Sequence, residues 1–598
     1  MIKRTKIVCT IGPSVNTEDK IFELIEAGMN VARVNFSHGS YEKHAEIVNK
    51  LKKARRETKR PLAIMLDTKG PEIRLGKIKN DVLSVEKGQK IFLVEDEGVE
   101  GDGEKISITP KGVLKSLKRG MSVLFNDGLI SSLVVEKQES QALLEIQNSG
   151  ELASGKGVNI PNALLDLPAM TEQDILDICF ACTLDVDIIA ASFIRSSEHV
   201  IDIKKLLASE EMSDIKVLAK IENAQGVENF DSILHVADGI MIARGDLGVE
   251  VPLSHVPRLQ KMMIRKCYLA GKPSVTATQM LESMIHYPRP TRAETSDVAN
   301  AIYDSTSAVM LSGETAIGRY PIETVKVMRS IIEETEKDFD YRNFLSYHAN
   351  RESNDVPTSI TLATVKTAYN SNASAIFAFT KKGATGRLLS RLRPSVPIVT
   401  LTSDEKSYHQ MALNWGVHPI FEDEDYTCIK DASTAISKAS LKKGYVKYGD
   451  LVVFTAGSPF GVSGTTNTMT LENIGEVLVR GKFGLGKCIY GKVFFLPSLK
   501  GVKHYEVQDC ILVISKCDES YVPYLQKAVG VVLESSLEDK SSEKFLLEWA
   551  ENKEISLLFK ARRAFSTLNE GQRVTLNPKQ ALIYKGVWRK NEQLDSDN

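Results

Sequence analysis

Two carboxylates and a lysine follow two consecutive apolar segments near the middle of the chain. Lys220 and Glu222 close the segment 217–223, and Asp246 comes shortly after the segment 239–243. Carboxylates are ligands that suit Mg²⁺ or Mn²⁺, and an ion held in this way can bridge substrate oxygens. A lysine beside the ion can share the negative charge of a phosphoryl group in flight. These residues therefore predict phosphoryl-transfer or enolate chemistry.

The elements that must position these residues alternate between short apolar strands and helical patterns. Eight strand-like segments occur in the first 340 residues, at 6–11, 30–35, 62–67, 186–192, 216–221, 239–243, 273–278 and 308–312. Helical periodicity separates them, for example at 19–27, 40–57 and 257–270. This alternation predicts a (β/α)8 TIM barrel, in which the active site lies at the carboxyl ends of the strands.

Polar side chains follow every strand from the second to the eighth. They are Arg33, Asn35, Ser37, Asp67, Thr68, Lys69, Arg74, Ser192, Arg195, Lys220, Glu222, Arg244, Asp246, Thr278, Gln279, Ser312 and Glu314. The cations Arg33, Arg74 and Lys220 can share phosphoryl charge. Asn35, Ser37, Asp67 and Thr68 offer oxygens with one formal charge among them, which suits a monovalent cation. Thr278 is expected near a substrate carbon or its protonating water.

Three further domains are expected around this barrel, which itself takes residues 1–70 and 169–340. Residues 71–168 form short strands broken by Gly, Asp and Asn turns, which predicts an inserted all-β lid of β-barrel type. A polar stretch after residue 340 introduces an α/β regulatory domain with a parallel sheet, at 341–474. Residues 475–598 form an extra C-terminal module, and a swivelling-type β/α domain is what a resemblance of its own residues to a known mobile domain implies. Thr171 is the expected N-cap at which the barrel helices restart.

The bulk composition excludes several classes of protein. The chain has 598 residues, a hydrophobic fraction of 42% and a formal net charge of -1, so no overall basic field attracts nucleic acid. No apolar run approaches the length of a membrane span, and the start lacks the apolar core of a signal peptide, so we expect a cytoplasmic protein. The eight cysteines lack disulfide-like spacing, and the pair Cys179 and Cys182 is interpreted as core packing.

Eight ordered motifs in the first 315 residues resemble those of pyruvate kinase. Lys-Ile-Glu-Asn stands at 220–223 and Ala-Arg-Gly-Asp-Leu-Gly at 243–248; the others lie at 10–13, 31–39, 66–74, 277–284, 288–294 and 310–315. The resemblance covers about residues 1–475. It implies transfer of the phosphoryl group of phosphoenolpyruvate to ADP, with protonation of the enolate to pyruvate, and a homotetramer.

The resemblance also implies roles for individual residues. Lys220 stabilises the transition state, with Arg33, Thr278 and Arg74 as further catalytic residues. The implied substrate contacts are Arg33, Ser192, Lys220, Gly245, Asp246 and Thr278, and the implied nucleotide contacts are His38, Arg74 and Lys156. Mg²⁺ (or Mn²⁺) is assigned to Glu222 and Asp246, and K⁺ to Asn35, Ser37, Asp67 and Thr68. Glu72 stands where potassium-dependent members carry an acid, which predicts dependence on K⁺.

An allosteric site is expected in the α/β regulatory domain. Thr380, Lys381, Lys382, Gly383 and Thr385 lie between a strand and a helix, where backbone N–H groups can hold the phosphate of an effector. The loop 457–467 is expected to face this segment. Plain turns are the alternative interpretation, and the sequence does not identify the effector.

The C-terminal extension resembles the mobile domain of phosphoenolpyruvate-utilising phosphotransferases without its phosphate-accepting histidine. The region that should carry that histidine, 534–543, has neither glycine nor histidine, and His504 is expected before the first strand of the domain. A structural or interface role is therefore expected. The segment 481–488 nearly matches a P-loop, but Cys488 replaces the required Ser or Thr and a strand-like run follows, which favours a linker.

Two other functions remain open at this point. A metal-dependent aldolase or lyase of the phosphoenolpyruvate/pyruvate barrels would need neither the lid with Lys156 nor the potassium residues, and both are present. A non-catalytic regulatory relative usually lacks a metal ligand or the central lysine, and the sequence retains Lys220, Glu222 and Asp246.

Overall fold

The computed structural model describes residues 3–96, 98–349, 355–424, 426, 428–458, 462, 464–535, 539–551 and 553–586. The chain divides into two compact units. The first comprises Met1–Lys366, Phe377–Ala432 and Thr455–Thr468, and the second comprises Thr367–Ile376, Ser433–Phe454 and Met469–Asn598.

The first unit contains a closed barrel of eight parallel strands that follow one another around the barrel in chain order. The strands are Lys6–Thr10, Val31–Asn35, Ala63–Asp67, Ile188–Ala191, Lys216–Ile221, Gly239–Ala243, Ser274–Ala277 and Ala308–Leu311. Each expected strand is present within two residues at either end. The predicted (β/α)8 fold class is confirmed.

The barrel strands are apolar on both faces because both faces are buried. Residues such as Val8, Met65 and Leu218 fill the inside of the barrel, whereas Ile7, Ile64 and others pack outward against the helices. The helices are Glu18–Ala27, Tyr41–Thr58, Glu172–Thr183, Ser197–Ser209, Ala224–Glu228, Phe230–Val236, Arg244–Glu250, Val256–Leu269, Arg292–Tyr303, Gly313–Ala316 and Pro321–Thr335.

The helix Glu172–Thr183 begins at the expected N-cap. The Thr171 side chain accepts a hydrogen bond from the Asp174 N–H, and the Asp174 carboxylate accepts one from the Thr171 N–H, which completes a capping box. Cys179 and Cys182 lie on this helix as free thiols, and Cys182 is buried in the core around the barrel. Burial raises the pKa of both thiols. Core packing therefore describes Cys182 well.

The insertion between the third and fourth barrel strands is all-β with its own apolar core. Its strands are Arg74–Leu75, Val82–Val85, Lys90–Val94, Lys105–Thr109, Ser122–Phe125, Ile130–Lys137, Gln141–Ile146, Gly150–Ala153 and Val158–Asn159. They form a seven-stranded sheet and a separate two-stranded sheet, rather than one closed hydrogen-bonded barrel. The pairing of Lys90–Val94 with Lys105–Thr109 is parallel, so this domain is not a simple antiparallel barrel.

The α/β region after the barrel is built on a five-stranded sheet. The strand order is Val417–Phe421, Ile398–Thr402, Ala375–Phe379, Leu451–Gly457 and Thr466–Asn473. The helices are Tyr341–Ala349, Val356–Asn370, Ala384–Ser390, Glu405–Gln410 and Ile429–Lys442. Two of these strands, Ile398–Thr402 and Val417–Phe421, pair in parallel, in line with the expected parallel sheet.

The C-terminal extension forms an eight-stranded mixed sheet. The strand order is Val477–Arg480, Leu582–Lys585, Arg573–Asn577, Ile489–Phe495, Cys510–Ile514, Gly530–Leu533, Ser556–Phe559 and Phe483–Leu485. The helices Val522–Leu525, Ser541–Ala550 and Ala564–Thr567 pack near it, and apolar clusters cover both faces of the sheet. Four neighbouring strands, from Ile489–Phe495 to Ser556–Phe559, are parallel.

The structure of the extension bears on the expected positions of His504 and of the P-loop-like segment. His504 follows three strands, including Ile489–Phe495, so the expectation that it precedes the first strand was wrong. Two of those strands, Val477–Arg480 and Phe483–Leu485, are short and lie at the edges of the sheet, where the alternation of apolar residues is weak, and the third, Ile489–Phe495, is the strand-like run that follows the P-loop-like segment. The P-loop-like segment holds the strand Phe483–Leu485, and the strand Ile489–Phe495 follows it in place of a helix. The segment therefore lacks the strand–loop–helix context of a P-loop.

Candidate active site at the carboxyl end of the barrel

Lys220 lies at the centre of the polar groups at the carboxyl end of the barrel. Its Nζ is 3.0 Å from Asp67 Oδ1 and 2.9 Å from Glu222 Oε1, and it donates a 2.6 Å hydrogen bond to Ser192 Oγ. Only 9% of the residue is exposed. Burial alone lowers the pKa of Lys220, but the Asp67 and Glu222 carboxylates outweigh it and raise the pKa above its usual value. Lys220 is therefore held as a fixed, buried cation.

Asp67 joins Lys220 to the second and third strands of the barrel. Arg33 Nε donates a 2.6 Å hydrogen bond to Asp67 Oδ2, and Arg33 Nη1 donates a 3.0 Å bond to Thr10 Oγ1. Burial acts to raise the pKa of Asp67, whereas Arg33 and Lys220 lower it, and the net shift is downward. The carboxylate thus stays ionised between two cations, and Arg33 is held in a fixed orientation.

Glu222 and Asp246 form an acidic pair on neighbouring parts of the barrel rim. Glu222 follows the fifth strand and is 1% exposed; its Oε2 accepts a hydrogen bond from the Phe193 N–H. Asp246 lies in the first turn of the helix Arg244–Glu250, directly after the sixth strand. Burial and the charge of Glu222 raise the pKa of Asp246 to about 7. Two buried carboxylates that repel each other fit a divalent cation, which would offset that repulsion.

Among the described residues, no group of three or more His, Cys, Asp or Glu side chains could hold a metal ion. Two acidic ligands are what a Mg²⁺ site presents when the ion keeps waters and binds substrate oxygens in its remaining positions. The donor set is thus that of an ion shared with a substrate, not of a closed structural site.

Oxygen atoms with little formal charge lie beside Asp67. Asn35 is the register partner of Asp67 on the neighbouring strand, and the Asn35 Oδ1 accepts a 3.1 Å hydrogen bond from the Ser37 N–H. Thr68 Oγ1 accepts a 3.2 Å bond from the Ser192 N–H. Because the single carboxylate of this set is already paired with Arg33 and Lys220, the remaining oxygens fit a monovalent cation such as K⁺ better than a second divalent ion.

Thr278 has a strained backbone that neighbouring groups hold in place. The φ angles of Thr278 and Gln279 are 68° and 53°, in the left-handed region that non-glycine residues rarely adopt. The Gly245 N–H donates a 2.8 Å hydrogen bond to Thr278 Oγ1. This bond brings together two residues to which the sequence assigned substrate contacts.

Arg244 is a positioning residue. The sequence predicts it at a strand end but indicates no role for it. Its Nη2 donates a 2.8 Å bond to the Thr278 carbonyl, and its Nη1 donates a 2.8 Å bond to Asp297 Oδ1. Arg244 therefore braces the strained turn at Thr278. Its place between the sixth strand and Gly245 was the available signal, but the partner Asp297 is far away in sequence.

The expected nucleotide-contacting residues lie at the edge of the insertion and on an exposed loop. Arg74 Nε donates a 2.6 Å bond to Glu72 Oε2, and Arg74 Nη1 donates a 2.9 Å bond to the Gly155 carbonyl. His38 and Lys156 are exposed. A crevice lies between the insertion and the barrel rim, and its walls include Glu72, Asp127, Asn159, Arg195, Asp246 and Glu250. The crevice is open to a ligand that reaches Asp246.

The expected effector segment runs from the end of the strand Ala375–Phe379 into the first turn of the helix Ala384–Ser390. Thr380 and Thr385 are buried, and Lys381 and Lys382 are exposed. Gly383 has a φ of 74°, and the Thr385 and Thr466 hydroxyl oxygens are 2.7 Å apart. Ser458 and Asn467 bridge the base of the expected facing loop through two hydrogen bonds. Residues 459–461 and 463 of that loop lie outside the described residues.

A (β/α)8 barrel with a buried lysine, an acidic pair and a cationic rim defines an enzyme that acts on small anionic substrates with a divalent ion. Family models agree: the barrel domain of pyruvate kinase matches residues 2–325, and its alpha/beta domain matches residues 358–471. The chain belongs to the pyruvate kinase family. It is a phosphotransferase whose reaction moves the phosphoryl group of phosphoenolpyruvate to ADP and yields ATP and pyruvate, the last step of glycolysis.

Relatives named pyruvate kinase resemble nearly the whole chain. The proteins from Staphylococcus epidermidis and Geobacillus stearothermophilus are each 40% identical over 588 and 589 residues, or 98% of this chain and 99% of theirs. The C-terminal extension therefore has a counterpart in them. A crystal structure of a pyruvate kinase from Cryptosporidium parvum is 36% identical, has a TM-score of 0.76, and covers 79% of this chain and 96% of its own.

Enzymes of this family generally need a divalent metal ion and potassium, and their substrates are phosphoenolpyruvate and ADP. In the described part of the chain, no helix combines the length and the apolarity that crossing a membrane requires.

Proposed function

We propose that Lys220, Glu222 and Asp246 form the chemical centre at which the phosphoryl group leaves phosphoenolpyruvate. The observation that supports this most strongly is the position of the Lys220 ammonium, which lies between Asp67 and Glu222 in a buried site. A fixed cation needs little reorganisation when negative charge shifts during transfer, and burial strengthens its interaction with that charge. Arg33 and Arg74 would add positive charge for the transferred group.

Glu222 and Asp246 would hold Mg²⁺ or Mn²⁺, and Asn35, Ser37, Asp67 and Thr68 would hold K⁺. With a divalent ion held there, Glu222 and Asp246 would supply Lewis-acid stabilisation of the charge that develops on the substrate. The acid at Glu72 supports the requirement for K⁺. Its Oε2 accepts a 2.6 Å hydrogen bond from Arg74 Nε.

The substrate is proposed to lie between Arg33, Ser192 and Lys220 on one side and the Gly245–Asp246 turn on the other. The Gly245 N–H donates a 2.8 Å hydrogen bond to Thr278 Oγ1, which keeps these two proposed substrate contacts together. Thr278, or a water it holds, would deliver the proton to the enolate carbon after transfer. His38, Arg74 and Lys156 are proposed to contact the nucleotide, whose terminal phosphate oxygen attacks the phosphorus atom.

A titration of Mg²⁺ in turnover assays tests the metal assignment. In Glu222→Gln we expect the half-saturating Mg²⁺ concentration to rise by at least about tenfold, since even loss of a supporting partner costs about that much affinity. Asp231→Asn, which removes a surface carboxylate paired with Lys266, is the matched control and should keep the wild-type requirement. An unchanged requirement in Glu222→Gln would remove Glu222 from the metal site.

Four further properties are proposed. The segment with Thr380, Lys381, Lys382, Gly383 and Thr385 is proposed to bind a phosphorylated allosteric effector, supported by its position before a helix. A homotetramer and a cytoplasmic location are proposed from membership of the family. The C-terminal extension is proposed to be a degenerate mobile domain with a structural or interface role.

A further inference from the structure

A small cavity of about 40 Å³ lies at the amino ends of the barrel strands, at the end opposite Lys220. Lys216 is the first residue of the fifth strand, and Asp238 immediately precedes the sixth. Arg387, on the helix Ala384–Ser390, and Gln410 complete the polar part of the wall. All of these residues belong to the first compact unit. The cavity is therefore built jointly by the base of the barrel and by the α/β region within one unit.

Cations outnumber carboxylates around this cavity. Lys204, Lys216, Lys272 and Arg387 all interact electrostatically with the carboxylate of Asp238, and Asp214, which is paired with Lys406, acts more weakly on Lys216. The Asp238 carboxylate is already engaged, because its Oδ2 is 3.0 Å from Lys204 Nζ and accepts a 3.0 Å hydrogen bond from the Val217 N–H. The local charge is thus strongly positive although the whole chain is nearly neutral.

Of these cations, Lys216 and Arg387 have the fewest hydrogen-bond partners among the described residues. Lys272 Nζ donates to the carbonyls of Leu234 and His235 at 2.7 and 2.8 Å, so it caps a helix end. Arg387 makes a single 3.2 Å bond, to the Lys382 carbonyl. Within the described ranges the Lys216 ammonium has no hydrogen bond or ion pair. Lys216 and Arg387 are therefore available to a ligand.

The pKa values of Lys216 and Arg387 reflect the cost of holding these cations close together in a partly buried site. Burial lowers the pKa of Lys216, and the charges of Arg387 and Lys204 lower it further against the attraction of Asp238 and Asp214. Burial likewise lowers the pKa of Arg387. Partly buried cations without a counter-charge are unfavourable, and a small dianion between them would offset both the desolvation and the mutual repulsion.

We propose that this cavity binds a phosphate dianion, either inorganic phosphate or the phosphate group of a small monoester, with Lys216 and Arg387 as its charged contacts. The site is distinct from the catalytic centre: Lys216 and Lys220 are four positions apart along the strand, which corresponds to about 13 Å. Lys382 and Gly383 of the expected effector segment also line the cavity. Lys216 and Arg387 are not among the effector residues assigned above, so variants can separate the two sites.

Competitive acylation of lysines with trace acetic anhydride, read by peptide mass spectrometry, tests this site in the full-length protein. Inorganic phosphate should reduce the acylation of Lys216 relative to chloride at equal ionic strength, because a bound dianion covers the amine and raises its pKa. A rise of one pKa unit lowers the free-amine fraction about tenfold when the pH lies below the pKa. Lys205, whose side chain is 71% exposed, is the internal control and should not change.

Three variants separate this site from its neighbours. Arg387→Gln should abolish the protection of Lys216 by phosphate, and Arg387→Lys should retain part of it. Thr385→Val, which alters the expected effector segment, should leave the protection intact. Methyl phosphate in place of inorganic phosphate distinguishes an ester site from a site for the free ion, and protection by either one supports the proposal.

Two results would overturn the proposal. The first is equal acylation of wild-type Lys216 in phosphate, methyl phosphate and chloride, which requires no variant to fold. The second is undiminished protection in folded Arg387→Gln, or loss of protection in folded Thr385→Val, with folding judged from the thermal unfolding curve.

Discussion

Replacing Lys220 by methionine should remove turnover while the barrel stays folded. The side chain is buried, but its loss leaves each carboxylate with another partner: Asp67 keeps Arg33 at 2.6 Å, and Glu222 keeps the Phe193 N–H. The cost therefore falls mainly on the transition state. Removing one preorganised group that stabilises developing charge typically costs about 3–4 kcal/mol. Because 1.36 kcal/mol corresponds to a factor of ten, kcat should fall by roughly 10²–10³-fold.

The assay couples pyruvate formation to lactate dehydrogenase at saturating ADP, Mg²⁺ and K⁺. We expect kcat to fall much more than KM for phosphoenolpyruvate rises, since the ammonium acts mainly when charge shifts in the transition state. Lys205→Met is the matched control, because Lys205 is an exposed lysine of the same barrel. A Lys220→Met protein that folds normally and keeps kcat within about tenfold of wild type would refute the role given to Lys220.

Four further predictions concern ions, stability, pH and the extension. Replacing K⁺ by tetramethylammonium should remove most turnover in the coupled assay, and full activity without K⁺ would contradict the site around Asn35. Asp67→Asn should lower the free energy of unfolding by about 3–5 kcal/mol, measured by denaturant titration, because Arg33 and Lys220 lose a buried counter-charge; a loss below about 1 kcal/mol would count against that network. Burial lowers the pKa of Lys6, whose Nζ donates to the Val417 carbonyl, to about 7. The unfolded chain then binds more protons between pH 7 and 10.5. The stability of wild type relative to Lys6→Met should therefore rise with pH in that window, by at most about 1.4 kcal/mol per unit, and a flat difference would contradict it. Incubating the full chain with phosphoenolpyruvate should leave no acid-labile phosphate on the extension, and phosphohistidine at His504 would overturn its proposed structural role.

The barrel could be predicted from sequence because its strands are buried on both faces and leave continuous apolar runs. The fifth and sixth strands, Lys216–Ile221 and Gly239–Ala243, agree with the predicted segments residue for residue. Strand ends also located the polar groups of the rim, since parallel strands deliver their last residues to one face. The local sequence pattern was sufficient to predict the barrel strands and the polar residues at their ends, because neither prediction needs contacts between residues far apart in sequence.

Contacts between residues far apart in sequence could not be read in the same way. The Lys220–Asp67 ion pair joins residues 153 positions apart, and the Arg244–Asp297 bond joins residues 53 apart. The cationic cavity at the base of the barrel likewise brings Lys216 near Arg387 only through the fold. The short edge strands of the extension, such as Val477–Arg480, have too weak an apolar pattern to be predicted from sequence, so their position ahead of His504 was missed.

The formation of ATP and pyruvate by the wild-type protein tests the proposed centre most directly. With phosphoenolpyruvate, ADP, Mg²⁺ and K⁺ present, both products should form in equal amounts, and chelation of Mg²⁺ should stop both together. Pyruvate released without ATP, or no turnover by folded protein under these conditions, would contradict phosphoryl transfer at Lys220, Glu222 and Asp246.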